Sequence, residues 1–416
     1  MNYPFSIGEL KRALCKTRNS APGKDEVCYI MLRHVSDHVL NKLLILYNKI
    51  WKEGRLPCKW KEAIVIPIKK YGKDHSNPGN YRPIALTSNM CKLMERMVNE
   101  RLIQYLESRK IIAPYQSGFC RGRGAIDPVL CLEDDIRKAQ INKETVVAVF
   151  FDVEKAYDML WREGLMIKLH QIGIGGNMFN WLWDFLRDRT IQVKIGHHVS
   201  QSSKIENGTP QGSVVSPTLF SVMINDIFKD LSISFGRSLF ADDGALWKRG
   251  RNIEHLILKL QEGIDKVGKF GIEWGFKFSI EKTKVMFFTN KKIGVNKKLY
   301  FYGKELERVD CFRFFGVVFD EKLTWGNHIE HVIEKSKKVL NIMRCLAGLT
   351  WGASFESLKN VYVSLIRSRI DYGSVVYDFP KLVTFQKLLP KNENNQPFLT
   401  PSHINTTFYQ PQFLYL

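Results

Sequence analysis

The chain has 416 residues, 44% of them hydrophobic, with 62 Lys and Arg against 42 Asp and Glu and a formal net charge of +20. At ~100–200 residues per domain, that length predicts two or three packed units around a sizeable core. The charge predicts attraction to a polyanion, nucleic acid being the commonest, although a merely soluble basic protein can carry such a balance too. No run reaches the ~18 apolar residues of a membrane span. The opening MNYPFSIGELKRALCK has no apolar core of signal-peptide type. None of the eight cysteines lies in a C-x-x-C pair or beside histidines at zinc spacing, which argues against a structural zinc site and suits a reducing compartment. The expectation is a soluble intracellular protein, nuclear or cytoplasmic, with no membrane partner and an oligomeric state that the sequence does not reveal.

In chain order, Val39, Leu40, Leu43, Leu44, Tyr47 and Ile50 fall on one helical face over 37–51, and Gly54 and Pro57 stop that helix. A strand over 63–68 runs into a basic turn rich in Gly, Asn and Pro and out through a second extended stretch. A helix over 90–108 follows, then the Gly-rich basic loop SGFCRGRGA. The run TVVAVFF at 145–151 is unbroken β-branched and aromatic, the pattern of a buried central strand, and Asp152 closes it. Helical stretches are predicted near 164–186 and 216–231. SLFADDGALW at 238–247 reads as two short strands around a turn at the acidic pair. This alternation predicts an α+β fold, a sheet with helices packed on one face. Amphipathic helices over 328–343 and 358–366 predict a small helical unit with a basic exterior. Pro380, Pro390, Pro397, Pro401 and Pro411, set among Asn, Gln and Thr, predict a disordered tail.

Asp152, Asp242 and Asp243 stand where acids are costly, at the end of an apolar strand and between Phe240-Ala241 and Gly244-Ala245-Leu246. Adjacent carboxylates in such a setting repel each other and lose hydration, and a divalent cation compensates both effects. Mg²⁺ needs few carboxylates, taking its other ligands from water and substrate phosphates, and two-metal phosphoryl transfer uses such a cluster. Taken singly, Asp242-Asp243 reads as readily as an ordinary Asp-Gly turn, and Asp152 as a strand end or helix cap.

Seven segments in order change that balance. NYRPIAL and QSGFCRGRGAID, then FFDVEKAYD, NGTPQGSVVSPTLF, FADDGAL, WGFKFSIEKTKVMFF and FRFFGVVFD, resemble successive motifs of reverse transcriptases. APGKDEV and the wording RPIAL are similar to the non-LTR, LINE-type and jockey-like retrotransposon enzymes, and the resemblance covers about 20–377.

The resemblance implies an RNA-directed DNA polymerase with a right-hand fold of fingers, palm and thumb. Its partners would be an RNA template, a DNA primer and deoxynucleotides, and its cofactor two Mg²⁺ ions, with Mn²⁺ as a substitute. Residues 1–50 would be a helical extension, 51–320 fingers and palm, 321–378 the thumb and 379–416 a tail outside the family pattern. Asp152, Asp242 and Asp243 would be the catalytic, metal-binding triad. Val153, Tyr157, Gln211, Gly212, Arg82 and Lys70, the last beside Lys69 and Lys73, would meet the incoming nucleotide, and Gln211 and Gly212 would approach the template as well. The Tyr157 ring would exclude a ribose 2′-hydroxyl. Arg82 offers a bidentate fork and the lysines point charges to the triphosphate. Lys282 would protonate the leaving pyrophosphate, and Phe315, Gly316 and Val317 would grip the primer. Lys335, Lys337, Lys338 and Arg344 would follow duplex phosphates.

Three departures stand out. Cys120 occupies a position where the family usually has Arg, Gly124-Ala125 replaces a Ser-Thr pair, and Ser279-Ile280 replaces the Asn-Pro before the palm lysine. The first two touch template or nucleotide contacts and the third weakens the role given to Lys282. With no space for an endonuclease ahead of the motifs and the pattern stopping after Tyr377, the expectation is a fragment of a mobile-element product. The alternative to an active enzyme is a nucleic-acid-binding remnant that keeps the fold. An RNA-templated RNA polymerase is a third option, disfavoured by Tyr157 and the F-A-D-D wording.

Overall fold

A computed structural model of the chain describes residues 1–291, 294, 297–348 and 351–377; the tail expected to be disordered lies outside them. The N-terminal helices α1 (Ile7–Cys15), α2 (Tyr29–Arg33) and α3 (Asp37–Glu53) form a layer that buries Leu10, Leu14, Tyr29, Leu40, Leu43, Tyr47, Ile50 and Trp51. α3 ends one residue before Gly54, as its pattern predicts. Strand β1 (Glu62–Lys69) turns back into β2 (Tyr81–Leu86), pairing Ile68 with Arg82 and Val65 with Ala85. α4 (Asn89–Ser108) is the spine beneath them, with Cys91, Leu93, Met94, Val98 and Leu102 fully buried. Arg101 on α4 anchors the N-terminal layer. Its guanidinium bonds the Glu9 carboxylate at 2.7 Å and lies 4.1 Å from the Phe5 ring centroid.

α5 (Ile126–Ile141) leads into β3 (Thr145–Asp152), whose every position from Thr145 to Phe151 is buried. The predicted helical stretch over 164–186 is two helices, α6 (Arg162–Gln171) and α7 (Gly176–Leu186), because Gly173-Ile174-Gly175 interrupts it. β4 (Arg189–Ile195), β5 (His198–Val199) and β6 (Ser203–Ile205) complete a peripheral sheet. There β4 lies parallel to β1 and antiparallel to β5 and β6. α8 (Ser216–Ile224) stops well short of its predicted end. The Asn225 side chain bonds the backbone of Ala113 and Ile111 at 2.8 and 3.1 Å instead, competing with helical continuation.

β7 (Gly236–Phe240) and β8 (Asp243–Gly250) form the expected hairpin, and α9 (Ile253–Trp274) packs against it. β9 (Lys284–Phe288) pairs with β3. The small hairpin β10 (Tyr300–Phe301) and β11 (Lys304–Glu305) precedes β12 (Glu307–Arg308), which runs parallel to β9. The central sheet therefore runs β12-β9-β3-β8-β7, antiparallel except at its β12 edge.

That sheet is covered on both faces, not one. Val147, Val149 and Phe151 join the core that includes Leu256, Leu260, Ile264 and Val267 of α9. The alternate residues Val146, Ala148 and Phe150 pack with Val129, Leu132 and Ile136 of α5. Covering both faces is what makes the β3 run apolar without alternation.

The hairpin of β13 (Cys311–Phe314) and β14 (Val317–Asp320) shares that second core through Phe314, Val317 and Phe319. α10 (Gly326–Leu346) and α11 (Phe355–Tyr362) follow. The single helix predicted over 358–366 becomes α11, a wide turn over Val363–Arg367 and α12 (Ser368–Asp371). Ser364 and Ser368 each donate back to the carbonyl four residues earlier, a bond that bends helices.

Candidate active site

Backbone pairing brings the carboxylates together. β3 sets Asp152 opposite Asp243, and β8 returns from a hairpin in which Phe240 faces Asp243 across Ala241-Asp242. Of the two turn residues only Ala241 has positive φ, +56°, the pattern of a tight II′-like hairpin. Support comes from the Gly-rich loop. Ser117 donates to the Leu239 carbonyl at 2.8 Å, and Leu239 to that of Tyr115 at 2.8 Å. A Cβ on Gly118 would fall 2.3 Å from the Ala241 nitrogen, so only glycine lets this loop press against the acidic turn.

Burial raises the carboxyl pKa of Asp242, and the Asp152 charge adds to it. Burial and then the charges of Asp242 and Asp152 push Asp243 up to about 6, with Lys282 partly opposing. Lys282 Nζ lies 3.1 Å from Asp152 Oδ2. Behind it, Ser279 donates its N–H to the Asp152 carbonyl at 2.8 Å, and Thr283 bonds back to Ser279. The Ser279-Ile280 departure thus leaves a turn that still delivers Lys282 to the acidic centre. Among the described residues no group of three His, Cys, Asp or Glu side chains is arranged to hold a metal ion on its own. Mg²⁺ asks for fewer protein ligands than that, because it keeps several water and phosphate ligands.

The neighbouring walls hold the other candidates. The Tyr157 ring lies 5.3 Å from that of Phe220. Burial raises its hydroxyl to about 12, and the Asp242 charge contributes, which places the ring beside the acidic turn. Val153 bridges to Phe278. Gln211 donates its side-chain amide to Asp158 at 2.9 Å, while its carbonyl accepts the Ala85 N–H at 2.8 Å. Gly212 has φ +120° and faces solvent, with the Ala85 carbonyl too close to admit a side chain.

Asp158 has a raised pKa through burial, offset by Gln211, Lys155 and Lys70, so Lys70 belongs to the same neighbourhood. Lys70 also donates to the Gly79 carbonyl at 3.0 Å, whereas Arg82 is exposed on β2. Cys120 turns its thiol toward the carbonyls of Gln116 and Gly118 in its own loop. Phe315-Gly316 is the turn of the β13–β14 hairpin and Val317 opens β14. The Phe315 ring lies 5.3 Å from that of Phe240, which joins this turn to the acidic one. The sequence does not single out Gly118 or Asp158, because the partners that give each its role, Ala241 and Gln211, lie far along the chain.

A strand-end carboxylate facing an acidic hairpin turn, on a sheet covered by helices, defines the palm of a right-hand polymerase fold. Residues 68–319 match the family described as reverse transcriptase (RNA-dependent DNA polymerase), and the chain belongs to that family. It is 28% identical over 391 residues to the RNA-directed DNA polymerase from mobile element jockey of Drosophila melanogaster, covering 91% of this chain and 42% of that protein. It is also 28% identical over 382 residues to the probable RNA-directed DNA polymerase from transposon BS of the same organism, covering 90% and 42%. The chain thus spans about two-fifths of the length of these relatives. Apo telomerase from Candida tropicalis is 15% identical with a TM-score of 0.42 over 65% of this chain and 58% of its own, too distant to bear on function. No described helix is long and apolar enough to cross a membrane.

Proposed function

We propose that this chain is the polymerase portion of a mobile-element reverse transcriptase, extending a primer 3′-end with deoxynucleotides on an RNA template. The observation that carries this reading is the register that puts Asp152 opposite Asp243, with Asp242 in the adjoining turn. Asp152 and Asp242, with Asp243 beside them, would hold two divalent cations, Mg²⁺ or Mn²⁺, which supply Lewis acidity at the attacking and leaving oxygens.

The surrounding residues do the rest. Tyr157, braced by Phe220, closes the space a ribose 2′-hydroxyl would need. Gln211, Gly212 and Val153 line the nucleotide, and Lys70 and Arg82 meet its phosphates from the β1–β2 hairpin. Lys282, already beside Asp152, is placed to give a proton to departing pyrophosphate. Phe315-Gly316-Val317 supports the primer backbone, and Lys335, Lys337, Lys338 and Arg344 of α10 follow duplex phosphates. Residues 51–320 then act as fingers and palm, 321–378 as thumb and 1–50 as a helical extension.

Primer extension on an RNA template tests this, with deoxy- and ribonucleotides supplied separately to wild type and Asp242→Ala. Deoxynucleotide incorporation that vanishes in the variant is the expected result, and Tyr157→Val should admit ribonucleotides. A folded, template-binding wild type that extends nothing would leave a remnant with a polymerase's shape. Binding alone separates nothing, because a +20 chain binds nucleic acid in either case.

A further inference from the structure

The Pro210–Ser213 turn that presents Gln211 and Gly212 is held from two sides. On one side β2 supplies the Ala85 N–H to the Gln211 carbonyl at 2.8 Å, and Ser213 N–H closes on the Pro210 carbonyl at 3.1 Å. On the other lies Glu95, a carboxylate with 0% exposure in the middle of α4. Its Oε2 accepts the Ser213 hydroxyl at 2.6 Å, the Val214 N–H at 2.6 Å and the Val215 N–H at 3.4 Å. The Ser213 hydroxyl in turn accepts the Ser216 N–H at 3.3 Å, the first residue of α8. Glu95 therefore serves the unpaired amides at the start of α8 from a different helix, a place where negative charge is favoured.

A buried carboxylate is an expensive way to hold a loop. The Cys91 thiol one turn earlier also meets the Glu95 carboxylate, and the neighbouring cations are the buried side chains of Lys92 and Arg189. An apolar residue of similar size would often stabilise as well or better. What an apolar residue cannot do is fix three donors in the three residues after Gly212. α4 is itself fixed at its start by the APGKDEV segment, where Gly23 packs on the Thr87-Ser88 backbone and Asn89 bonds the Val27 carbonyl.

We propose that Glu95 is a positioning residue for nucleotide binding: it fixes the Gln211–Gly212 turn from beneath through Ser213, Val214 and Val215. This rests on the reading of that turn as the wall facing the incoming nucleotide. Glu95 does not touch the substrate, so its removal acts on nucleotide affinity and leaves primer–template binding alone.

The test compares wild type, Glu95→Gln and Ser213→Ala by steady-state primer extension, primer–template affinity and amide hydrogen exchange. A glutamine can set its carbonyl oxygen where the three donors converge and its NH₂ where Oε1 stands, so this change removes the charge and weakens the three bonds. The KM for deoxynucleotide should rise about tenfold, since a charged hydrogen bond is lost while the chemical step is spared. Turnover should stay within about threefold, primer–template affinity should hold, and the Val214 and Val215 amides should exchange faster. Ser213→Ala should move KM in the same direction by less, and it decides the matter if Glu95→Gln fails to fold. A lowered melting temperature with unchanged KM in the folded variants would overturn the proposal, as would unchanged exchange at Val214 and Val215. If wild type incorporates no deoxynucleotide, the polymerase reading fails by itself, and the exchange measurement still decides whether Glu95 holds the turn.

Discussion

β3 and α11 both read as apolar-rich segments, yet they are held in different ways. β3 is buried from Thr145 to Phe151 and paired on both edges, with cores on both faces. α11 buries no residue, and α10 buries only His328, Val332 and Val339 along its length. Phe355, Val363 and Leu365 remain exposed at 77%, 44% and 44%. The C-terminal helices are fastened instead by single polar links. Val318 donates to His328 Nδ1 at 3.3 Å, Arg369 to the Lys335 carbonyl at 2.9 Å and Tyr372 to the Phe315 carbonyl at 2.6 Å. The lesson is that the acidic residues sit on the part of the chain with the least freedom, while the helices beyond 326 have few buried contacts and correspondingly low local stability.

The largest effect that bears on this contrast is chemical. If the rigid sheet exists to hold charge, Asp242→Ala should cut incorporation by on the order of 10³-fold, the equivalent of several kcal/mol of lost charge stabilisation. Its circular dichroism should stay unchanged. Neutralising Lys335 or Lys337 on α10 should cost only a few-fold and make template binding less sensitive to salt, by about one phosphate contact. Comparable losses of turnover from both kinds of variant would erase the division between the two regions.

Packing comes next. Phe151→Ala should destabilise by about 3–5 kcal/mol, because its ring meets Phe228, Phe278 and Phe301 at 5.6–6.4 Å with no room to collapse. Leu365→Ala should cost under about 1 kcal/mol, being half exposed. Urea unfolding measures both, and equal costs would mean that the C-terminal helices are as firmly packed as the sheet.

Much of this is legible in the sequence. The β3 run, the acidic turn and the helix over 37–51 follow from patterning and turn chemistry alone. α9 was missed although its signals are present: Asn252 caps its start, Gly275 follows its end and Leu256, Leu260, Ile264 and Val267 are spaced for one face. The second covering of the sheet was hidden because an unbroken apolar strand does not say what covers it. Glu95 could not be found by reading, since a glutamate inside a helix ordinarily faces water. Its burial depends on the start of α8, more than a hundred residues further on. Gly118 is similar, being glycine only because Ala241 comes so close in space.

A smaller effect tests whether the rigid region bears electrostatic strain. Burial and the charges of Asp242 and Asp152 disfavour the ionised form of Asp243 and push its carboxyl up to about 6, above the ordinary range of an aspartate. The folded state therefore holds the proton more tightly than the unfolded one, so stability falls as pH rises from about 4 to about 6. Asp243→Asn lacks that loss. Its melting temperature should match wild type below pH 4 and exceed it by a few degrees above pH 6. Because one side of Asp243 faces solvent, water screens the repulsion and keeps the gain small. Mg²⁺ should raise the melting temperature of wild type above pH 6 and raise that of the variant less. A variant less stable than wild type at neutral pH would show that the carboxylate earns its place by hydrogen bonding, not at a cost.

The smallest effect lies where the two regions meet. Phe315 is a non-glycine residue at φ +46°, a conformation that side chains disfavour. The Tyr372 hydroxyl bonds its carbonyl, and the Tyr372 ring lies against Gly316. Phe315 in turn packs against Phe240, the residue before Ala241-Asp242. A weakly packed helical unit is thereby joined to the acidic turn through one hydroxyl and two rings. Tyr372→Phe removes only the hydroxyl, worth about 1 kcal/mol at a partly exposed site. Global stability should barely move, because the sheet does not depend on that bond. Primer affinity should weaken by about fivefold if the bond holds the hairpin turn in its unfavourable conformation. Exchange should quicken at the Phe315–Val317 amides and stay unchanged at Val147–Phe151. Unchanged exchange at both segments with unaltered primer affinity would mean that the turn is held by its own hairpin, and that the helices beyond it can move without consequence for the carboxylates.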